Sequence, residues 1–203
     1  MKRKGFTLIE LLIAVAIISI LAAIAVPNFL EAQTRAKISR TKADLRSMST
    51  AIEAYRVDNN FYPLDGAVLH SGVTIYPAQN PSDVANRHVF AGPVLTTPIA
   101  YLTSQPHDPF VSQTLKEEER FYFYANLRQA SQWLQTNMGM VPPLIQSRIR
   151  DWGEWMMHAA GPDGDRTDVG SLAGPVMLVG VYDPTNGTVS NGDILRTQTR
   201  TSW

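Results

Sequence analysis

Few of the 203 residues are arranged for covalent chemistry. The chain has no cysteine, which removes disulfides, thiolate metal sites and a cysteine nucleophile together. His70, His88, His107 and His158 show no metal-ligand spacing, and no Ser-His-Asp order or carboxylate pair stands out, so no catalytic residue is assigned and no enzyme is expected. Two sets of carboxylates remain. Asp163, Asp165 and Asp168 lie in the glycine-punctuated stretch GPDGDRTDVG, and an Asp-x-Asp spacing can wrap a hard cation such as calcium. The spacing and closing glutamate of an EF-hand are missing, and a solvated Asp-Gly turn explains the same residues. Glu10 is the other case, the only charge between Phe6 and Val26. A carboxylate costs about 2.5 to 3.5 kcal/mol near the centre of an inserted helix, and less toward its end.

The element that must carry Glu10 is a helix. Phe6 to Val26 is 21 residues with Thr7 and Ser19 as the only other polar groups. At 1.5 Å per residue it reaches roughly 31 Å, close to the roughly 30 Å hydrocarbon core of a bilayer. Lys2, Arg3 and Lys4 precede it and orient the N-terminus toward the cytoplasm. A secretory signal peptide with an A-x-A site at Ala23 and Ala25 shares this layout, but the apolar run exceeds an h-region of about 7 to 15 residues. A plain single-pass anchor explains the topology and leaves the Gly5-Phe6 junction without a purpose. The formal charge balances at 18 basic and 18 acidic side chains, so bulk electrostatics argue against a nucleic-acid partner.

Beyond Pro27, the residues Ile38, Leu45, Met48, Ile52 and Tyr55 recur at helical spacing, predicting an amphipathic arm whose apolar stripe packs on a domain. Pro27 lacks an N–H and clashes with the preceding turn, which predicts a kink or local opening near residues 23 to 27. Residues 28–57 carry six basic and three acidic side chains, whereas 58–203 carry nine and fourteen. Oppositely charged regions of this kind can pack copy against copy.

The string KGFTLIELLIAVAIISILAAIAVPNF resembles the N-terminus of class III prepilins, the type IV pilins and the pseudopilins of type II secretion. The resemblance implies that a membrane-embedded prepilin peptidase cuts after Gly5, that Phe6 becomes the N-methylated terminus, and that Glu10 is the family's carboxylate four residues on. It also places Pro27 where the family's helix bends or melts. On that reading, removing the leader creates a cation at Phe6, and in a helix beginning there, residues 6 and 10 would share one edge. Two opposite charges in an apolar setting are tolerable when paired. Glu10 is therefore expected to act in assembly and register, its partner being its own amine or a neighbour's.

The expected organisation is a leader at 1–5, a helix at 6–57 (membrane or filament core 6–26, arm 28–57) and a head at 58–203. YRVDNNFYP ends the helix, and this turn and TTPIAYLTSQPHDPF are similar to segments of major pseudopilins. Strands are predicted at 120–126, 154–160, 175–183, and in GTVSN and GDILRT around the Asn191-Gly192 turn, forming an antiparallel meander on the arm. A short helix is expected near 82–90, and a helical insertion, broken by Pro142 and Pro143, within 128–152. The fold class is α+β, a long N-terminal helix packed on a small antiparallel sheet, as in type IV pilins.

The resemblance implies a structural filament subunit of a type II secretion pseudopilus, anchored once in the inner membrane with its head in the periplasm. Its partners would be copies of itself or other pseudopilins, the prepilin peptidase and the inner-membrane assembly platform. Major pseudopilins also resemble calcium proteins, with ligands near the C-terminal sheet. A surface pilus for adhesion, motility or DNA uptake is the alternative, and an exported enzyme or binding module on a signal anchor is a remote one.

Overall fold

The structure is a computed structural model that describes residues 6–64, 92–114, 120–141, 143–164, 182, 183, 185, 190 and 192–200. Helix α1 runs Leu8–Asn59, a single element of 52 residues and about 78 Å in length. It begins two residues later than expected, because Thr7 takes an extended conformation (φ −82°, ψ 150°) and caps it. Asn60 ends it in the left-handed region at φ 62°, its N–H donating to the Arg56 carbonyl at 2.9 Å, as the Asp-Asn-Asn sequence predicts. No local opening occurs at Pro27, which lies inside the unbroken helix. The ring deletes one amide from a ladder of dozens, and the turns on either side hold.

The head is built from a 3₁₀ turn at Gly92–Leu95, strand β1 (Phe123–Asn126), helices α2 (Leu127–Met138) and α3 (Pro143–Trp152), and strands β2 (Trp155–Ala159) and β3 (Ile194–Thr197). The strands form an antiparallel sheet in the order β1-β2-β3, with Phe123 opposite His158 and His158 opposite Leu195. The predicted insertion is thus a helical hairpin. Asn126 caps α2 by accepting from the Gln129 amide, and Pro143 opens α3, where a missing N–H is harmless. The strands follow one another in chain order, as the expected antiparallel meander requires, with the expected helical insertion, α2 and α3, joining β1 to β2. The helix expected near 82–90, and most of the strands expected at 175–183 and in GTVSN, fall outside the described residues.

Both faces of the sheet are covered, because alternate side chains leave it in opposite directions. Tyr122, Tyr124, Trp155, Met157 and Ile194 pack with Ile38, Leu45, Met48 and Ile52 of α1. Phe123, Ala125, Met156 and Leu195 pack with Leu127, Ala130 and Ile145 of the hairpin. The layers run α1, sheet, hairpin, and the apolar stripe of the arm is buried except for the half-buried Tyr55.

Directional bonds tie the layers together. Tyr124 Oη and Asn126 Nδ2 both donate to the Pro63 carbonyl, at 2.9 and 3.0 Å, holding the turn after α1 against β1. Buried Asp108 accepts from the amides of Ala160 and Phe110 at 2.8 and 3.0 Å. A Cβ at Gly161 would stand 2.1 Å from the Gly192 carbonyl oxygen, so the backbones can meet there only through glycine. Burial, with the Glu53 carboxylate beside it, raises the Tyr62 hydroxyl from 10.0 to about 12. Burial, then the Asp44 carboxylate, pushes Tyr122 up as well.

A raised tyrosine favours the folded state while it is protonated. The contribution of Tyr62 is complete below pH 10 and disappears as pH rises from 10 toward about 12. Melting temperatures of the detergent-solubilised protein are expected to fall across that window. The Tyr62→Phe variant starts lower and loses less over the same window, so parallel curves for the two proteins would refute the assignment.

Candidate functional site

The N-terminal end of α1 is the site to which the sequence points, and it is built around Thr7 and Glu10. The Thr7 amide donates to Glu10 Oε2 at 2.9 Å and the Thr7 hydroxyl donates to the same oxygen at 2.8 Å. In return the Glu10 amide donates to Thr7 Oγ1 at 3.3 Å. This reciprocal arrangement is a capping box, which satisfies amides that the first turn of a helix would leave without partners. The carboxylate also lies at the positive end of the helix dipole. Glu10 is therefore not a bare charge in the apolar run, because Thr7 holds it.

Phe6 is not where the shared-edge argument requires it. It stands one residue outside the cap, 81% exposed, so the i and i+4 geometry of a helix does not join it to Glu10. Phe6 and Leu11 instead occupy the two positions, flanking the cap, that a hydrophobic staple uses. An amine created at Phe6 would lie beside the cap and free to turn outward. Both Thr7 bonds converge on Oε2, so Glu10 can keep its cap while Oε1 takes a further donor. The signal Thr7-x-x-Glu10 is legible in the sequence as a capping signature, and reading the stretch for its hydropathy passes over it.

From Phe6 to Leu30 every residue is exposed, including 14 large apolar side chains from Leu8 onward. Burying a side chain of this type gains about 1.5 to 3 kcal/mol, so covering all of them is worth at least about 20 kcal/mol. That exceeds the net stability of an ordinary domain, about 5 to 15 kcal/mol. Water cannot be the working environment of this half of α1. The helix is long and apolar enough to cross a membrane.

The remaining candidates separate. Gly5, Asp165 and Asp168 lie outside the described residues. Asp163 is exposed in a turn that the Gly164 amide closes onto the Gly161 carbonyl at 2.9 Å. Among the described residues no three histidines or carboxylates gather into a metal-binding group. His107 stacks on Phe121 at 4.5 Å, and His158 is buried with its Nδ1 3.0 Å from Asp193 Oδ2, a pairing the sequence did not signal. His70 and His88 are outside the described residues.

Comparison with known proteins bears on the same segment. Residues 1–26 match the family model described as the prokaryotic N-terminal methylation motif, and residues 28–115 match that of type II secretion system protein G. The chain carries the methylation motif and, behind it, a segment similar to protein G of type II secretion. Among its relatives, the type IV major pilin protein PilA of Myxococcus xanthus is 49% identical over 61 residues, 30% of this chain and 28% of that one. The type IV wide pilus major component PilA4 of Thermus thermophilus is 49% identical over 76 residues, 37% of this chain and 58% of that one. The type II secretion system core protein G of Pseudomonas aeruginosa is 39% identical over 62 residues, 30% of this chain and 44% of that one. The chain thus spans between about a quarter and about three fifths of the length of these curated relatives. No solved structure matches it. The sheet and the α2–α3 hairpin lie beyond the stretch that the protein G model covers.

Replacing Thr7 with alanine removes the cap and one half of the box. A lost N-cap costs about 1 kcal/mol, which is about fivefold in an opening equilibrium. Amide exchange at residues 8–11 of the Thr7→Ala protein in micelles is expected to quicken by about that factor, with residues 40–55 unchanged. Equal exchange at both ends of α1 in the two proteins would show that the box contributes nothing.

Proposed function

We propose that this protein is a prepilin, a structural subunit of a type II secretion pseudopilus, cut after Gly5 by a prepilin peptidase, N-methylated at Phe6 and assembled through its apolar helix into a helical filament. The carrying observation is the half of α1 that is exposed on every side and ends in a capped carboxylate. A lipid bilayer can cover that surface before assembly, and the same surfaces of other subunits can cover it afterward. The head would stand in the periplasm, with the inner-membrane assembly platform drawing subunits from the bilayer. The protein G match over residues 28–115 supports the secretion system. The type IV pilins among the relatives support the second reading, a surface pilus.

Glu10 has a stated task in this reading. Removal of the leader makes an amine at Phe6, and Oε1 of a neighbouring Glu10 is an acceptor that its own cap does not use. A subunit added out of register would leave an amine and a carboxylate unpaired in an apolar core, which is strongly unfavourable. Pro27 would be the turn of α1 that gives most easily, since it lacks one backbone bond.

The intact mass of protein extracted from membranes tests processing directly. Loss of residues 1–5 with gain of one methyl group is expected. A terminus at Val26, or an uncut leader, would overturn the reading. Calcium binding at Asp163, Asp165 and Asp168 is proposed from the acidic, glycine-punctuated turn alone. Adding calcium to the chelator-treated protein is then expected to raise its melting temperature, and superimposed curves would remove calcium from the account.

A further inference from the structure

Three of the four carboxylates on α1 beyond Pro27 accept a hydrogen bond from an aromatic side chain of the head. Tyr122 Oη donates to Asp44 Oδ2 at 2.9 Å. Trp155 Nε1 donates to Glu53 Oε1 at 2.9 Å, and Tyr62 Oη donates to Glu53 Oε2 at 3.1 Å. Tyr101 Oη donates to Asp58 Oδ2 at 2.8 Å. The fourth carboxylate, Glu31, pairs with Arg35 on the helix itself. The four donors come from four separate segments: the turn after α1, the loop after the 3₁₀ turn, the approach to β1, and β2.

We propose that Asp44, Glu53 and Asp58 set the axial register of the head on α1, a task the apolar contacts of the interface cannot perform. Apolar attraction has no direction. The buried stripe on α1 recurs every three or four residues, so moving the head by one turn, about 5.4 Å, brings Leu45 close to where Met48 stood and Met48 close to where Ile52 stood. Much of the apolar contact survives such a slip.

The carboxylates break this degeneracy. They are spaced nine and five residues apart, and no shift of three or four residues puts another carboxylate in their places. A shift of four brings Arg40 or Met48 to Tyr122, Ser49 or Val57 to Trp155, and Ala54 or Tyr62 to Tyr101. Tyr122 and Trp155 are 0% and 1% exposed, so the shift that brings Met48 and Val57 to them would leave both donors buried without a side-chain acceptor. Such a loss is far less tolerable than a small reduction in apolar contact. Glu53 is the strongest rung. Its two donors approach separate oxygens, and Tyr62 in turn accepts from Gln198 Nε2 at 2.7 Å, which links the rung to the chain just past β3.

In a filament built on α1, register also fixes how far each head stands from the apolar half, and this consequence rests on the function proposed above. The register itself belongs to the single subunit and can be measured without a filament. The chain has no cysteine, so nitroxide labels can be placed singly at two introduced cysteines. Ala36 on α1 and Gln132 on α2 are exposed and well separated along the helix. Pulsed electron-spin distance measurement on the full chain in detergent is expected to give one narrow distance for the parent protein. The Asp44→Ala/Glu53→Ala/Asp58→Ala variant is expected to show a second population, displaced by about 5 Å. Restoring position 53 as Glu53→Gln, which returns an acceptor oxygen, should recover the single distance. A triple variant with the parent's single narrow distance overturns the proposal. Should the triple variant lose its helical circular dichroism, the Asp44→Ala/Asp58→Ala and the Glu53→Ala proteins are measured instead, and an unchanged narrow distance in both overturns it equally.

Discussion

The exposed apolar half of α1 is the constraint on which everything else depends. Fourteen large apolar side chains stand on the N-terminal half of α1, where no other described residue of the subunit covers them. Their covering must come from outside, from lipid or from other helices. The polar features of α1 can be understood as fitting a rod to that fate. Thr7 and Glu10 close its N-terminal end without leaving a bare charge, and Asn60 closes the other. Between them the helix changes from exposed on every side to buried along one stripe, and that change begins where the head first makes contact.

The two ends of the rod use carboxylates differently. At the N-terminus the cap engages one oxygen of Glu10 and leaves the other for an external donor. In the arm, Glu53 uses both oxygens inside the subunit, one for an indole and one for a phenol. The first arrangement leaves an oxygen that can take a donor from outside the subunit. The second suits a joint that should not move. A filament subunit requires both, because assembly depends on how rods meet and spacing depends on how each head is seated on its rod.

Much of this was legible in the sequence, and the exceptions have physical causes. The apolar half, the arm stripe through Ile38, Leu45, Met48 and Ile52, the Asp-Asn-Asn ending and the helical hairpin follow from local periodicity and turn chemistry. The start of the helix did not follow, because a run of uniform hydropathy hides a cap that depends on one threonine hydroxyl. The rungs were out of reach for a different reason. Asp44, Glu53 and Asp58 are separated from Tyr122, Trp155 and Tyr101 by 78, 102 and 43 residues, and periodicity along one helix carries no information about a partner so far away.

The account turns on Glu10 meeting an amine that belongs to another subunit. Filaments assembled from an equal mixture of subunits, one half labelled with nitrogen-15 and the other with carbon-13, allow that contact to be read by solid-state magnetic resonance. A through-space correlation between the Phe6 amine nitrogen and the Glu10 carboxyl carbon in the mixed filament can arise only between subunits, and the account predicts it. A correlation that vanishes in the mixed filament and returns only when both labels share one chain would contradict it.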